Sequence, residues 1–416
     1  MLLKRLFTGL ILFGFLALPS PAPAQNNNPQ EAVAALNEGN QAFALDMYRQ
    51  LGMKETGNLV FSPYSISSAL AMTCAGASGN TEKEMAQTLH FTLPQVALHP
   101  AFAEIRKTLE EAEKRGDIKL SVANSLWPDK RYTLNPAFVE TTRKNYEISI
   151  TPLDFTNAGE SAKTINQWVG KNTHDRIKDI LQPTDLENAI LVLVNAIWFK
   201  GDWMRPFEVT ETRPELFREM NASPKHVPMM HQDGSFSFFE DESVQVLEKP
   251  YGGNQVFMQI VLPRTKEGLA DVEKTLTPEK LAAWTAGERM EKVALTLPKF
   301  KMTPNRIDLV EILKALGMKD AFDSKKADFL SIFQNLNPAE RPFISHVFHK
   351  AFIEVQEKGT EAAAATAVVM AKVMAMAPPS KPSIVFKADH PFLFLIREKT
   401  TGTILFMGRM VAPTEE

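Results

Sequence analysis

Eight histidines, a single cysteine and one Gly-Ala-Ser-Gly turn are the residues from which this chain could build a reagent. A serine nucleophile on a strand-to-helix elbow needs G-x-S-x-G, and Gly76-Ala77-Ser78-Gly79 lacks that spacing. A zinc hydrolase needs a ligand set such as H-E-x-x-H. Neither that motif, a phosphate-binding P-loop nor a paired C-x-x-C occurs. His346 and His349 come nearest to a ligand pair, but three positions apart in a strand they point to opposite faces. His226 and His231 have no third ligand near them in sequence. Cys74 falls in an apolar helical stretch, the setting of a small buried thiol, and being alone it forms no intrachain disulfide. Asn221-Ala222-Ser223 has the form of a glycosylation acceptor, with Pro224 directly behind it. This inventory calls for no enzyme, no metal and no cofactor.

The material around these residues is ample. A chain of 416 residues that is 44% hydrophobic can bury a large core, and a net charge of −3 excludes the basic face that nucleic acid demands. Lys4 and Arg5, the apolar run 6–18 and Ala22-Pro23-Ala24 read as a signal peptide over 1–24, cleaved before Gln25. The run is too short to span a bilayer comfortably. The expected product is therefore secreted or periplasmic, monomeric and without stable membrane contact, with a polar leader at 25–30.

Helical spacing predicts a helix over 31–51. Pro63 starts a second, apolar nearly all round over 65–75 and so buried, and Thr81 with Glu84 reads as a capping box. Strand-like runs fall at 120–127, 148–155, 190–199, 256–263, 293–298 and 344–355, with helices at 162–181 and 306–316. The continuously apolar run 189–199 predicts a central strand covered on both faces. Asn195 interrupts it, and a buried amide there must anchor a hydrogen-bond network. With no repeat and no Gly/Ser linker, one mixed α+β domain over 31–413 is the reading.

The stretch 357–379 is the odd one: Glu-Lys-Gly-Thr-Glu, four alanines, then Thr-Ala-Val-Val-Met-Ala-Lys-Val-Met-Ala-Met-Ala-Pro-Pro. Alanine favours a helix capped by Thr360. The strand-like run before it and Pro378, Pro379 and Pro382 after it favour an exposed extended loop. Composition leaves the two even. The stretch resembles the hinge and reactive loop of the inhibitory serpins, E-x-G-T/S-E followed by small residues. The chain is similar to that family in order from about residue 31 to Pro413. The similarity lies at Asn58-Leu-Val-Phe-Ser-Pro-Tyr-Ser-Ile, Asn124-Ser-Leu-Trp, Ile165-Asn-Gln-Trp-Val, Val194-Asn-Ala-Ile-Trp-Phe-Lys-Gly-Asp-Trp, Leu297-Pro-Lys-Phe, His349-Lys-Ala, Ala388-Asp-His-Pro-Phe-Leu-Phe-Leu-Ile-Arg and Leu405-Phe-Met-Gly-Arg.

The resemblance, to an exported member of bacterial look, implies three β-sheets, eight or nine helices and a reactive loop over 357–382. It implies an inhibitor that traps a serine-type protease: the enzyme cuts the loop, and the freed segment enters the main sheet as a new strand. Glu357, Gly359, Thr360, Glu361, Ala362, Ala363, Ala364, Ala365 and Thr366 would be its hinge. By strand alternation Thr360, Ala362, Ala364, Thr366 and Val368 would face the core, where small residues enter without overpacking, while Glu361 stays in solvent. Gly359 would give freedom at the turning point. Ser62, Ser65, Asn195 and His349 match the polar cluster beneath the opening sheet, and Trp203 with Pro206-Phe207 the entry point. A bait residue about sixteen positions beyond the hinge glutamate puts the reactive bond at Val373–Met374. Val373 suits an elastase-like pocket; cutting after Met374 or Met376 suits a chymotrypsin-like one, and after Lys372 a trypsin-like one. The alternative is a serpin-fold carrier or chaperone that inhibits nothing, although no bulky, charged or proline residue interrupts 362–366.

Overall fold

Two apolar layers need a strand between them, and 191–202 supplies it. In the strand Leu191–Asp202, Leu193, Ile197 and Phe199 turn into the larger hydrophobic cluster, while Val192, Val194, Ala196 and Trp198 turn into a second one. The computed structural model describes residues 28–413 except 117, 188, 221, 304, 335, 338, 339 and 361–382.

That strand pairs antiparallel with Ile118–Pro128 on one side and parallel with Val347–Val355 on the other. Phe300–Met302, Ile307–Asp308, Ser149–Ile150 and the two-residue strand Gly359–Thr360 complete a seven-stranded sheet. A nine-stranded network holds the rest. Its long strand Lys225–Glu240 pairs with Arg213–Phe217 near its start and with Val244–Pro250 near its end. The network is thus two leaves sharing long strands, which is how the three expected sheets become two hydrogen-bonded sets. Nine α-helices stand among the described residues. Pro63–Cys74 is buried at every position, between the sheet and the helices Pro29–Lys54 and Gln95–Arg115.

Several local expectations are corrected. The helix expected over 162–181 is Ala158–Asn172, followed by irregular chain in which Thr173, His174 and Asp175 close its end. Only Ser149–Ile150 of 148–155 is strand, because Phe155 begins a 3₁₀ turn. The 306–316 helix shrinks to Val310–Ala315, since Ile307–Asp308 pairs with the 347–355 strand. Thr81 and Glu84 make no capping box. The helix begins at Gly79, Thr81 Oγ1 accepts from the Asp328 N–H at 3.0 Å, and Glu84 accepts from the Lys319 and Asp320 amides at 2.8 and 2.7 Å.

Candidate functional site

The strands Leu191–Asp202 and Val347–Val355 pair directly from Leu193–Val347 to Trp198–Phe352, then part. Into the opening comes Gly359–Thr360. After Val355 the chain reverses through 356–359, closed by Gln356 N–H to Gly359 O at 2.8 Å. Thr360 then pairs with Val355 on one side and Gly201 on the other. A Cβ on Gly359 would lie 2.0 Å from Gly201 O. The glycine therefore serves close backbone approach rather than freedom at a turn, and its φ lies outside the left-handed region.

Thr360 is fully buried, its hydroxyl 2.6 Å from that of Tyr251, whose ring stacks on Trp203 at 4.4 Å. The segment around Trp203 grips the turn. Trp203 donates from its backbone to Lys358 O at 2.7 Å and from its indole to Gln356 O at 2.9 Å, and Phe207 N–H donates to Glu357 O at 2.8 Å. Glu357 accepts from Thr212 at 2.9 Å and pairs with Lys299 at 3.1 Å. Burial alone would raise its pKa, but these partners outweigh it and hold the carboxyl below its usual range.

Four sequence-selected polar residues come together below. Asn195 and His349 are register partners across neighbouring strands, and Asn124 is Asn195's partner on its other side. The Ser62 N–H donates to His349 Nε2 at 3.1 Å, which makes Nδ1 the protonated nitrogen, donating to Asn195 Oδ1 at 2.6 Å. Asn195 Nδ2 donates to Ser65 O at 2.9 Å and to Asn124 Oδ1 at 2.6 Å. Ser62 caps the Pro63–Cys74 helix, accepting from Ser65 N–H at 3.2 Å, and donates to Leu405 O at 2.5 Å. The cluster ties three strands of one sheet, a helix start and a strand of the other sheet. It contains no nucleophile–base pair and joins these elements by hydrogen bonds alone.

Complete burial pushes the His349 pKa down to about 3. The folded chain thus refuses a proton that the unfolded chain accepts near pH 6.5. Stability should fall as pH drops from about 6.5 toward 3, by up to ~1.4 kcal/mol per pH unit from this group. His349→Ala leaves the Ser62 amide and the Asn195 carbonyl unpaired, and should cost about 3 kcal/mol or more at pH 7.5. Urea unfolding of both proteins between pH 4 and 8 tests this, with a shallower acid slope expected in the variant. An equally steep slope would show that other groups carry it.

Glu361, Ala362, Ala363, Ala364, Ala365, Thr366, Lys372, Val373, Met374 and Met376 lie outside the described residues. Sequence reasoning missed Asn124, Tyr251 and Lys299. Asn124 carried a signal, since it and Asn195 are lone amides in two apolar strands. Of the other candidates, Cys74 is a buried thiol with its pKa pushed up to about 12 by burial, chiefly, and by Glu82. His346 pairs with Asp308 at 2.7 Å, and His231 with Glu215 at 3.0 Å.

A two-residue strand, Gly359–Thr360, thus stands between two parting strands, above a buried polar cluster. The model of the serpin family, serine protease inhibitors, matches residues 38–413. Human leukocyte elastase inhibitor is 40% identical over 390 residues, 91% of this chain and 99% of that protein. A serpin-like protein of Thermococcus kodakarensis is 37% identical, over 95% of this chain and 92% of its own. The crystal structure of human thyroxine-binding globulin with its hormone superposes with a TM-score of 0.81 at 30% identity, covering 92% of this chain and all of that one. The chain belongs to the serpin family, and its function is serine protease inhibition.

The comparisons correct one expectation. The leukocyte elastase inhibitors are intracellular serpins, which overturns the secreted or periplasmic location, and the comparisons lend no support to an exported bacterial member. A basic start and a short apolar run are local composition only; they do not establish that the segment is cleaved.

Proposed function

We propose that this serpin traps an elastase-like protease, with 357–382 as hinge and reactive loop and Val373–Met374 as the bond cut. The reading rests on one observation: Gly359–Thr360 is already a strand between the two strands that must separate. Continuing both registers residue by residue brings Thr366 opposite His349 on one side and opposite Asn195 on the other. Entry of the seventh residue from Thr360 thus replaces the bond between them, and a threonine hydroxyl can serve both partners. A strand from 360 to 373 is about 45 Å long, enough to carry an acylated enzyme from one end of the sheet to the other.

Incubation with elastase-, chymotrypsin- and trypsin-type proteases, followed by denaturing gels and mass spectrometry, tests the reading. A covalent complex with release of a peptide beginning at Met374 supports it. Cleavage without any complex, by all three enzymes, would favour the carrier or chaperone alternative. Val373→Arg should lower trapping of elastase by roughly 100-fold and raise that of trypsin, because the bait side chain alone fills the primary pocket. If wild type already traps trypsin and Lys372→Ala abolishes it, the bond follows Lys372 instead.

A further inference from the structure

Lys249 is fully buried near the end of the strand Val244–Pro250, yet among the described residues no carboxylate accepts from it. Its Nζ donates to Arg205 O at 3.1 Å and to Gln232 Oε1 at 2.7 Å. Three rings close in around it, those of Phe207, Trp203 and Phe236, with centroids 4.1, 5.0 and 5.7 Å away. Gln232 in turn donates to Arg205 O and Pro206 O, and the Met204 N–H donates to Pro250 O at 3.0 Å. The segment 203–207 is thus fastened to two strands, with one amine at the centre of the joint.

The same segment holds the hinge. Trp203 and Phe207, whose rings cover Lys249, are the residues that donate to Gln356 O, Glu357 O and Lys358 O. A shift of either residue on the amine is therefore felt at the turn. We propose that Lys249 is a positioning residue for inhibition: by fastening 203–207 to the strand Val244–Pro250, it keeps the turn 356–359 presented to the gap between the parting strands. This role rests on loop insertion as proposed above; the fastening itself does not.

The joint has a proton-dependent strength. Burial, chiefly, and the Arg205 charge pull the Lys249 pKa down from 10.5 to about 7. The long strand meets the amine with uncharged Gln232 and Phe236, while His231 and Asp233 alternate to its other face. Val256–Pro263 offers the register partner Met258, and Glu248 turns to the opposite face of Lys249's own strand. The hinge turn adds Lys358 and Glu357, the latter already paired with Lys299. When the segment lifts, Nζ meets water and regains its ordinary pKa, so lifting takes up a proton between about pH 7 and 10.5. Each unit rise in pH across that window makes lifting up to about tenfold rarer. Below pH 7 the amine is charged in both states, and the dependence vanishes.

Hydrogen exchange of the intact, uncut protein between pH 7 and 10 reads the joint directly. Protection of the Trp203 and Phe207 amides, referred to exchange of the same residues in a free peptide, should climb by up to about tenfold per pH unit. In Lys249→Met, similar in volume but without the amine, protection should stay flat; Lys249→Leu takes its place if the methionine variant fails to fold. Trapping is read as the ratio of covalent complex to cleaved inhibitor with elastase from pH 7 to 9. Dividing wild type by variant removes the protease's own pH dependence. That quotient should rise by roughly tenfold across the range. Protection equally flat in wild type and variant would overturn the fastening. A quotient that stays constant or falls as pH rises would overturn the positioning role, even with the fastening intact. Absence of complex from wild type at every pH would strike insertion and the positioning role together, and the exchange profile would still judge the joint.

Discussion

Cutting the chain once within 361–382 should raise the midpoint of thermal unfolding by about 10 °C or more. The central strand and Val347–Val355 now share one parallel pairing, from Leu193–Val347 to Trp198–Phe352. An inserted strand replaces it with two antiparallel ladders, and parallel pairing is the slightly weaker kind. About ten newly paired residues at ~1 kcal/mol of net hydrogen bonding each give ~10 kcal/mol before burial of the alanines and valines. In a chain of this length one kcal/mol moves the midpoint by about 1 °C. The uncut chain does not reach that state because the loop is tethered at both ends, to Thr360 and to the Ile384–Lys387 strand of the other sheet. Stability is therefore withheld kinetically. Circular dichroism melts before and after nicking measure the difference. A midpoint unchanged or lower after nicking would mean that the sheet has no use for the strand.

What the sequence made legible follows the range of the interaction. The run 189–199 announced its strand because two-sided burial leaves a continuous apolar signature, and 256–263 matched the strand Val256–Pro263 for the same reason. The buried helix was legible from Pro63 and its apolar circumference. Thr81 was misread because its partner, the Asp328 amide, is 247 positions away. The helix expected to reach 181 stops at Asn172, where Thr173 turns its hydroxyl back to Val169 O at 2.8 Å and receives the Ile177 amide at 3.2 Å. Periodicity carries no record of such a stop.

The site divides in the same way. Asn195 announced itself as a polar residue in an apolar run. Its bonds to His349, Ser65 and Asn124 depend on strand register, which one sequence does not encode locally. The hinge was worse placed. Alanine-rich composition favoured helix as strongly as loop, and only the resemblance to the serpins tipped the balance. The sequence reading gave Gly359 freedom at a turn, whereas the carbonyl it passes closely lies on a strand 158 positions earlier in the chain.

Thr360→Arg should turn the inhibitor into a substrate, with covalent complex falling by roughly 100-fold or more while loop cleavage continues. Thr360 is enclosed by Tyr251 and by both flanking strands, and among the described residues no carboxylate is hydrogen-bonded to it. A guanidinium at that position must stay charged, since its pKa is far above neutrality, and a buried unpaired charge costs several kcal/mol. The hinge then has two courses. It can withdraw from the sheet, losing the Val355 and Gly201 pairings, or it can enter slowly against the cost of burying the charge. Either course delays the first step of insertion, on which every later one depends. Trapping is a race between insertion and hydrolysis of the acyl-enzyme, so a delay of a few kcal/mol in the barrier hands most molecules to hydrolysis, at tenfold per 1.4 kcal/mol. The bait residues are untouched, so the protease still recognises and cuts the loop. Thr360→Val separates charge from the lost hydroxyl: it forfeits only the bond to Tyr251 and should retain most of the trapping. The ratio of complex to cleaved inhibitor on a denaturing gel reads all three proteins. Arginine that traps as well as threonine would mean that insertion does not begin at residue 360.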